Sequence, residues 1–131
     1  MQLNNINSSA EKMKNLIKTI LILLSLQYIL ANQANAELIA GQTAFDKGDY
    51  ITAYNQWITI AEQGIAQAQR KIGELYLNGH GVNLNYKRAV FWLEKSADQG
   101  DQFALTKLGE MYLTGNGINQ NYKIAYELFI L

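Results

Sequence analysis

Few side chains in this 131-residue sequence could perform chemistry, and their spacing argues against most reactions. The chain has one His, His80, and beyond residue 36 only one Ser, Ser96. A Ser–His–acid relay could use no other pair. Ser96 occupies a small-residue slot beside Ala97 and reads as a packing residue. His80 lies between Gly79 and Gly81, reads as a solvated loop residue, and as a lone imidazole makes no metal site. Glu74 and Glu110 stand 36 positions apart, and paired carboxylates can serve acid–base chemistry. Neighbouring helices, however, sit ~9–10 Å apart. Both glutamates are expected on an exposed face, solvated or turned toward a partner. Gly79-x-Gly81 lacks the strand and phosphate cradle of a nucleotide loop and reads as a turn. With no Cys, thiolate zinc sites, disulfides and cysteine nucleophiles are excluded. The chain is read as no enzyme, with no cofactor and no metal.

Composition narrows the partners. Apolar residues make up 49% and charged residues 17%, which is neither disordered nor collagen-like. There is no Pro, as suits a chain that is mostly helix. The 11 basic and 11 acidic residues balance over the full length. Without Lys12, Lys14, Lys18 and Glu11, 8 basic residues face 10 acidic ones, a net of −2. A mildly acidic domain with scattered Lys and Arg offers nothing to nucleic acid or an anionic membrane.

Residues 1–36 read as a secretory signal peptide. Lys12, Lys14 and Lys18 form a basic n-region, and Ile20 to Leu30, broken by Ser25 and Gln27, forms the apolar h-region. Ala34-Asn35-Ala36 supplies the small residues of a cleavage site before Glu37. Met13 to Ala36 alone is a complete peptide of this kind, so either Met1 or Met13 would serve as the start. The competing reading is a retained anchor, but Lys18 and Asn32 bracket a run well short of the about 20 residues a span requires. After cleavage no stable membrane span is expected.

The element that must position the remaining residues is a repeat. Shifting the sequence by 36 positions pairs 64–95 with 100–131 and gives 14 identities in 32 pairs, including Gly64/Gly100, Gly73/Gly109, Tyr76/Tyr112 and Ala89/Ala125. Tyr50, Ala53, Ala61, Gln63 and Gly64 extend the same register backward. The domain reading is therefore 37–63 as a partial first copy, 64–99 as a full copy and 100–131 as a truncated copy, about two and a half helix pairs.

Each copy reads as helix–loop–helix. Ala68, Ile72, Leu75 and Tyr76 recur on one helical face, as do Ala104, Leu108, Met111 and Tyr112. The two tyrosines are expected to play the same core role. Gly79 and Gly115 fit a left-handed helix end, and Val82 and Ile118 can plug back into the core. Asp49, Asn85 and Asn121 are N-cap residues for the second helices. Ala89, Trp92, Leu93 and Ser96-Ala97 form the second helix's inner stripe, with Trp57 at a similar core position. Gly73 and Gly109 each cost ~1 kcal/mol inside a helix. Their recurrence one period apart implies that a neighbouring helix packs on bare backbone there.

The run Ala66-Gln67-Ala68, Ile72-Gly73-Glu74-Leu75-Tyr76, Gly79-His80-Gly81-Val82, Tyr86-Lys87-Arg88-Ala89, Trp92 and Lys95-Ser96-Ala97-Asp98-Gln99-Gly100 resembles a Sel1-like repeat, a relative of the tetratricopeptide repeats. The resemblance covers 37–131. Asn85 and Asn121 stand where the family often has Asp, and the third copy stops about five residues before its expected Gly. The family implies an all-α fold, an α-α superhelix that is a short solenoid of antiparallel helix pairs. It also implies recognition of a protein or peptide along the concave face. The positions that would serve are Gln67, Arg70, Lys71, Glu74 and Asn78, then Lys107, Glu110 and Thr114. The alternative is a fragment of a longer repeat protein that self-associates through its C-terminal helix, where Leu128, Phe129, Ile130 and Leu131 form an apolar run. A remote alternative is the penicillin-binding, hydrolase-like activity credited to Cys-rich secreted relatives, which this Cys-free chain does not resemble. The signal peptide implies a periplasmic or secreted bacterial protein. N-terminal sequencing of protein recovered from the exporting cell should begin at Glu37; a stable full-length membrane species would refute the cleavage.

Overall fold

The computed structural model describes residues 2–131, and every regular element in them is a helix. Six helices follow in order: α1 (Gln2–Asp46), α2 (Tyr50–Glu62), α3 (Ala66–Asn78), α4 (Tyr86–Ala97), α5 (Gln102–Thr114) and α6 (Tyr122–Phe129). The chain divides into two compact units, Met1–Ala36 and Glu37–Leu131. In the first, Leu16, Ile20, Leu23, Leu26 and Leu30 are all exposed. Helix α1 is the one helix among the described residues long and apolar enough to cross a membrane, a property that a signal sequence shares.

The second unit is an array of helix pairs in which α2 packs on α3, α3 on α4, α4 on α5 and α5 on α6. Polar caps start the second helices: Asp49 accepts from the Thr52 amide, Asn85 from Arg88, and Asn121 from Lys123 and Ile124. Hydrogen bonding to Thr52 also holds the Asp49 carboxyl below its ordinary pKa. Asp101, which periodicity did not single out, caps α5 through the Ala104 amide. Gly79 (φ 68°) and Gly115 (φ 76°) end the first helices in the left-handed conformation. The loop that follows each is closed one period apart by the same bond: Asn85 N–H donates to the Tyr76 carbonyl and Asn121 N–H to that of Tyr112, both at 2.9 Å.

The core is the stripe that periodicity marks. Ala68, Ile72, Leu75 and Tyr76 are buried, as are Ala104, Leu108 and Met111, and Ala89, Leu93 and Ser96 face them from α4. Bare backbone does meet the neighbouring helix. A Cβ on Gly73 would lie 2.8 Å from Leu93 Cγ, and one on Gly109 would enter the Phe129 ring at 2.5 Å. Gly41 meets the Trp57 ring in the same way. Trp57, Leu93 and Phe129 are spaced by 36, whereas Gly41 precedes Gly73 by 32. The loop of the first pair (47–49) is four residues shorter than its counterpart (79–85), so a fixed shift of 36 registers only that pair's second helix. Its first helix is the end of α1.

Several environments differ from expectation. Trp57 is buried and donates from Nε1 to the Leu38 carbonyl, but Trp92 is half-buried, edge-on to Phe91. Val82 and Ile118 are half-buried. Ser96 packs as expected, and its Oγ also donates to the Ala66 carbonyl at 2.8 Å. His80 is not a solvated loop residue: it stacks on Tyr50, with ring centroids 4.3 Å apart, and its Nδ1 is buried without a partner. Stacking became possible because the loop of one repeat leans on the start of the preceding second helix, where a Cβ on Gly81 would meet Tyr50 backbone at 2.7 Å. The two equivalent tyrosines also diverge. Tyr76 is buried between Tyr54 and Arg88, while Tyr112, with Val90 and Ile124 at the corresponding positions, is half-buried. Tyr76→Ala should therefore cost about 3 kcal/mol, as large aromatic truncations do, and Tyr112→Ala about half that or less. Urea unfolding of both variants checks this ranking, and equal losses would refute it.

Candidate functional site

Inward faces of α3 and α5 are committed to the core, which leaves their outward faces to line a cleft. Glu74, Leu77 and Asn78 come from α3, and Phe103, Lys107, Glu110, Met111 and Thr114 from α5, with Asn116 from the following loop. The cleft encloses about 340 Å³. Five of the eight residues singled out from sequence thus come together: Glu74, Asn78, Lys107, Glu110 and Thr114. The floor is apolar, from Leu77, Met111 and Phe103, and amide and hydroxyl groups crowd the end where both helices terminate.

The other three residues do not join them. Gln67 is exposed but lies outside the cleft. Arg70 and Lys71 are half-buried, contrary to an assignment on a solvated face, because each is held by aromatic and acidic neighbours. Arg70 donates to Glu74 Oε1 at 2.8 Å and to Asp101 Oδ2 at 3.2 Å, with its guanidinium 5.1 Å from the Phe103 centroid. Lys71 sits 5.8 and 5.5 Å from the Phe45 and Trp57 rings, and 3.9 Å from Glu74 Oε2. Glu74 is therefore half-buried and paired through both oxygens, while Glu110, exposed, pairs with Lys107 at 2.8 Å. The two carboxylates serve separate cations and do not form an acid–base couple.

Leu77, Phe103 and Asn116 were not singled out from sequence, and Met111, read as a core residue and buried as one, also reaches the cleft. For Phe103 a signal existed: it stands one period after the polar Gln67, so an apolar side chain replaces a solvated one. The hydroxyl of Ser96 is spent on Ala66 and His80 is stacked on Tyr50, so the geometry assembles no nucleophile–base contact between them. Among the described residues no group of three His, Cys, Asp or Glu side chains could hold a metal.

Two further cavities lie on the opposite, second-helix face. One, about 470 Å³, is lined by Phe91, Trp92, Lys95, Gln63 and Gln69 among others. The other, about 310 Å³, is lined by Leu105, Leu108, Tyr112, Ile124, Leu128 and Glu94 among others. Burial raises the Glu94 carboxyl above its ordinary pKa, and Asp98 beside it adds to the rise. Between α2, α3 and α4, Arg88 donates to the Tyr76 hydroxyl at 2.8 Å, and the Tyr54 and Tyr76 hydroxyls lie 3.3 Å apart. Burial, followed by the bond to Tyr76, pushes the Tyr54 phenol up to about 12.

Stacked helix pairs with a cleft along the first-helix face define an α-solenoid of the kind built for recognition. The family model of the Sel1 repeat matches residues 66–101 and 102–131, half of the sequence, and the chain belongs to the Sel1 repeat family. Among solved structures it is similar to a protective antigen present in uropathogenic Escherichia coli strains, which displays an SLR fold (TM-score 0.71, 26% identity, 75% of this chain and 22% of that one). It is also similar to a Sel1 repeat protein from Oxalobacter formigenes (TM-score 0.66, 33% identity, 70% of this chain and 37% of that one). The chain thus spans well under half the length of either protein. No curated protein matches it in sequence.

The Tyr54 phenol provides a check on this packing. Its folded-state pKa lies above the ordinary value of 10.0, so the neutral phenol's contribution to stability is complete below pH 10 and is lost as pH rises toward 12. In an ultraviolet titration of the folded protein one tyrosine should ionise last, and Tyr54→Phe should remove that component. A titration unchanged by the substitution would place the hydroxyl in solvent.

Proposed function

We propose that this protein is an exported, non-catalytic recognition module that binds a protein or peptide in the cleft between α3 and α5, the concave face of the solenoid. Sel1 repeats are generally interaction modules without catalytic activity, and the observation that carries the reading here is the cleft itself. Polar side chains of Glu74, Asn78, Lys107, Glu110, Thr114 and Asn116 surround apolar contacts from Leu77, Phe103 and Met111, a lining that can both orient and pack against a peptide. Residues 1–36 serve as the signal peptide and 37–131 as the binding array, delivered to the periplasm or the exterior of a bacterial cell. A long apolar N-terminal helix and bacterial structural neighbours support that placement. The mild acidity of residues 37–131 weighs against nucleic acid.

Filling the cleft tests the proposal. Asn78 and Thr114 are exposed at its rim, so Thr114→Trp or Asn78→Trp should leave the melting temperature nearly unchanged. Either should abolish capture of a partner from envelope extracts that the wild-type chain retains. Capture that survives both substitutions would refute binding at this cleft.

A second reading, self-association through α6, is favoured by one comparison. Tyr126 is 65% exposed, whereas Val90, one period earlier on α4, is 7% exposed beneath α5. With Tyr122 and Ile130 exposed beside it, this face offers a contiguous apolar area for association. In sedimentation velocity at micromolar concentration the 37–131 chain should form a dimer or larger species, and Tyr126→Lys should return it to monomer. A monomeric parent would leave the cleft as the sole interaction surface proposed.

A further inference from the structure

We infer that the α3–α5 cleft takes a peptide segment that presents a cationic side chain, lysine or arginine, to the end where both helices stop. The inference rests on the cleft being a binding site and adds the chemistry of its occupant. From Phe103 to Thr114 the wall is about 16 Å long at ~1.5 Å per helical residue, a length that roughly five extended residues span.

The polar groups decide the charge. Asn78 gives one Nδ2 proton to the Glu74 carbonyl at 2.9 Å, leaving Oδ1 to accept and one N–H to donate. Thr114 spends its hydroxyl proton on the Glu110 carbonyl at 3.0 Å, leaving its lone pairs. Glu110 gives Oε2 to Lys107 and keeps Oε1, while both oxygens of Glu74 are engaged by Arg70 and Lys71. Three acceptors therefore gather at this end, which calls for a donor-rich group. The C-termini of α3 and α5 open there too, with no basic residue in either last turn to offset their partial negative charge. Lys107, the one basic residue lining the cleft, lies between Phe103, 5.5 Å from its ring, and Glu110, whose Oε2 it holds at 2.8 Å. Leu77 beside the acceptors and the 42%-exposed Phe103 toward the other end offer apolar contact, so an apolar residue preceding the cation completes the match.

The test uses the full chain, ¹⁵N-labelled in non-ionic detergent, titrated with acetyl-Leu-Ala-Arg-amide and with the same peptide carrying neutral citrulline. The arginine peptide should shift the backbone amides of 74–78 and 110–116 and bind at least about threefold more tightly than the citrulline peptide, the scale of one exposed charged contact. Salt should narrow the difference. Glu110→Gln should erase it, and Lys107→Gln, which frees Glu110, should widen it. Equal binding of the two peptides at these same amides would overturn the cationic requirement while leaving the cleft as a binding site. Absence of shifts there with the arginine peptide would also overturn the inference, and capture by the Thr114→Trp variant then decides independently whether the cleft binds a partner at all.

Discussion

Within each pair, a large side chain from the second helix rests on first-helix backbone where there is no Cβ: Trp57 on Gly41, Leu93 on Gly73, Phe129 on Gly109. Glycine inside a helix costs ~1 kcal/mol, and full burial of a side chain such as Leu93 returns ~1.5–3 kcal/mol, so the contact is favourable despite the weakened helix. It also sets a distance. Two helices that meet through a glycine approach more closely than two that meet through Leu or Met, and that approach fixes the tilt with which the next pair can stack. The long loops obey the same constraint, since Gly81 and Gly117 press directly on the backbone of Tyr50 and Tyr86. Each repeat is therefore seated on the previous one by backbone contact, which tolerates almost no change in side-chain volume.

The cleft depends on that seating and on one further device. Arg70 reaches from α3 to Asp101, the residue that caps α5, while also holding Glu74. A single guanidinium thus ties the wall of one repeat to the start of the next, and it is largely shielded from solvent by Phe103. The position is not periodic: Thr106 follows Arg70 by one repeat. This tie between repeats thus rests on a residue that the repeat pattern does not require.

What was legible in the sequence was what periodicity governs. Identical residues at a spacing of 36 marked the helix pairs, their caps, the left-handed glycines and the core stripe, because each reflects a local demand that recurs with the backbone. Five cleft residues were legible for the same reason, since the outward face of a helix follows once its inward face is known. Other features depend on what lies across a repeat boundary, and no spacing within one copy reports that. Arg70 and Lys71 looked solvated because their shielding partners, Phe103 and Trp57, belong to other repeats. His80 looked like a loop residue because Tyr50 lies thirty positions upstream. Tyr76 and Tyr112 are identical, yet Arg88 covers one and has Ile124 as its counterpart beside the other. The first helix of the first pair was missed because a loop four residues shorter moved it out of register.

This separation between periodic core and aperiodic lining bears on how such a module acquires a partner. Leu93 and Gly73 cannot change without altering the spacing of α3 and α4, and through it the position of α5. Asn78, Thr114 and Glu110 point away from the core and are exposed, so substitution there alters the donor and acceptor pattern at little cost to stability. Glu110 keeps its place between two copies of the pattern, but its charge is balanced by Lys107 alone, whereas Glu74 is balanced twice. Equivalent residues thus carry different amounts of unspent charge, and that difference comes from neighbours that the repeat leaves free to vary. The solenoid supplies a fixed cleft, and the side chains at its rim are the ones that the stacking does not constrain.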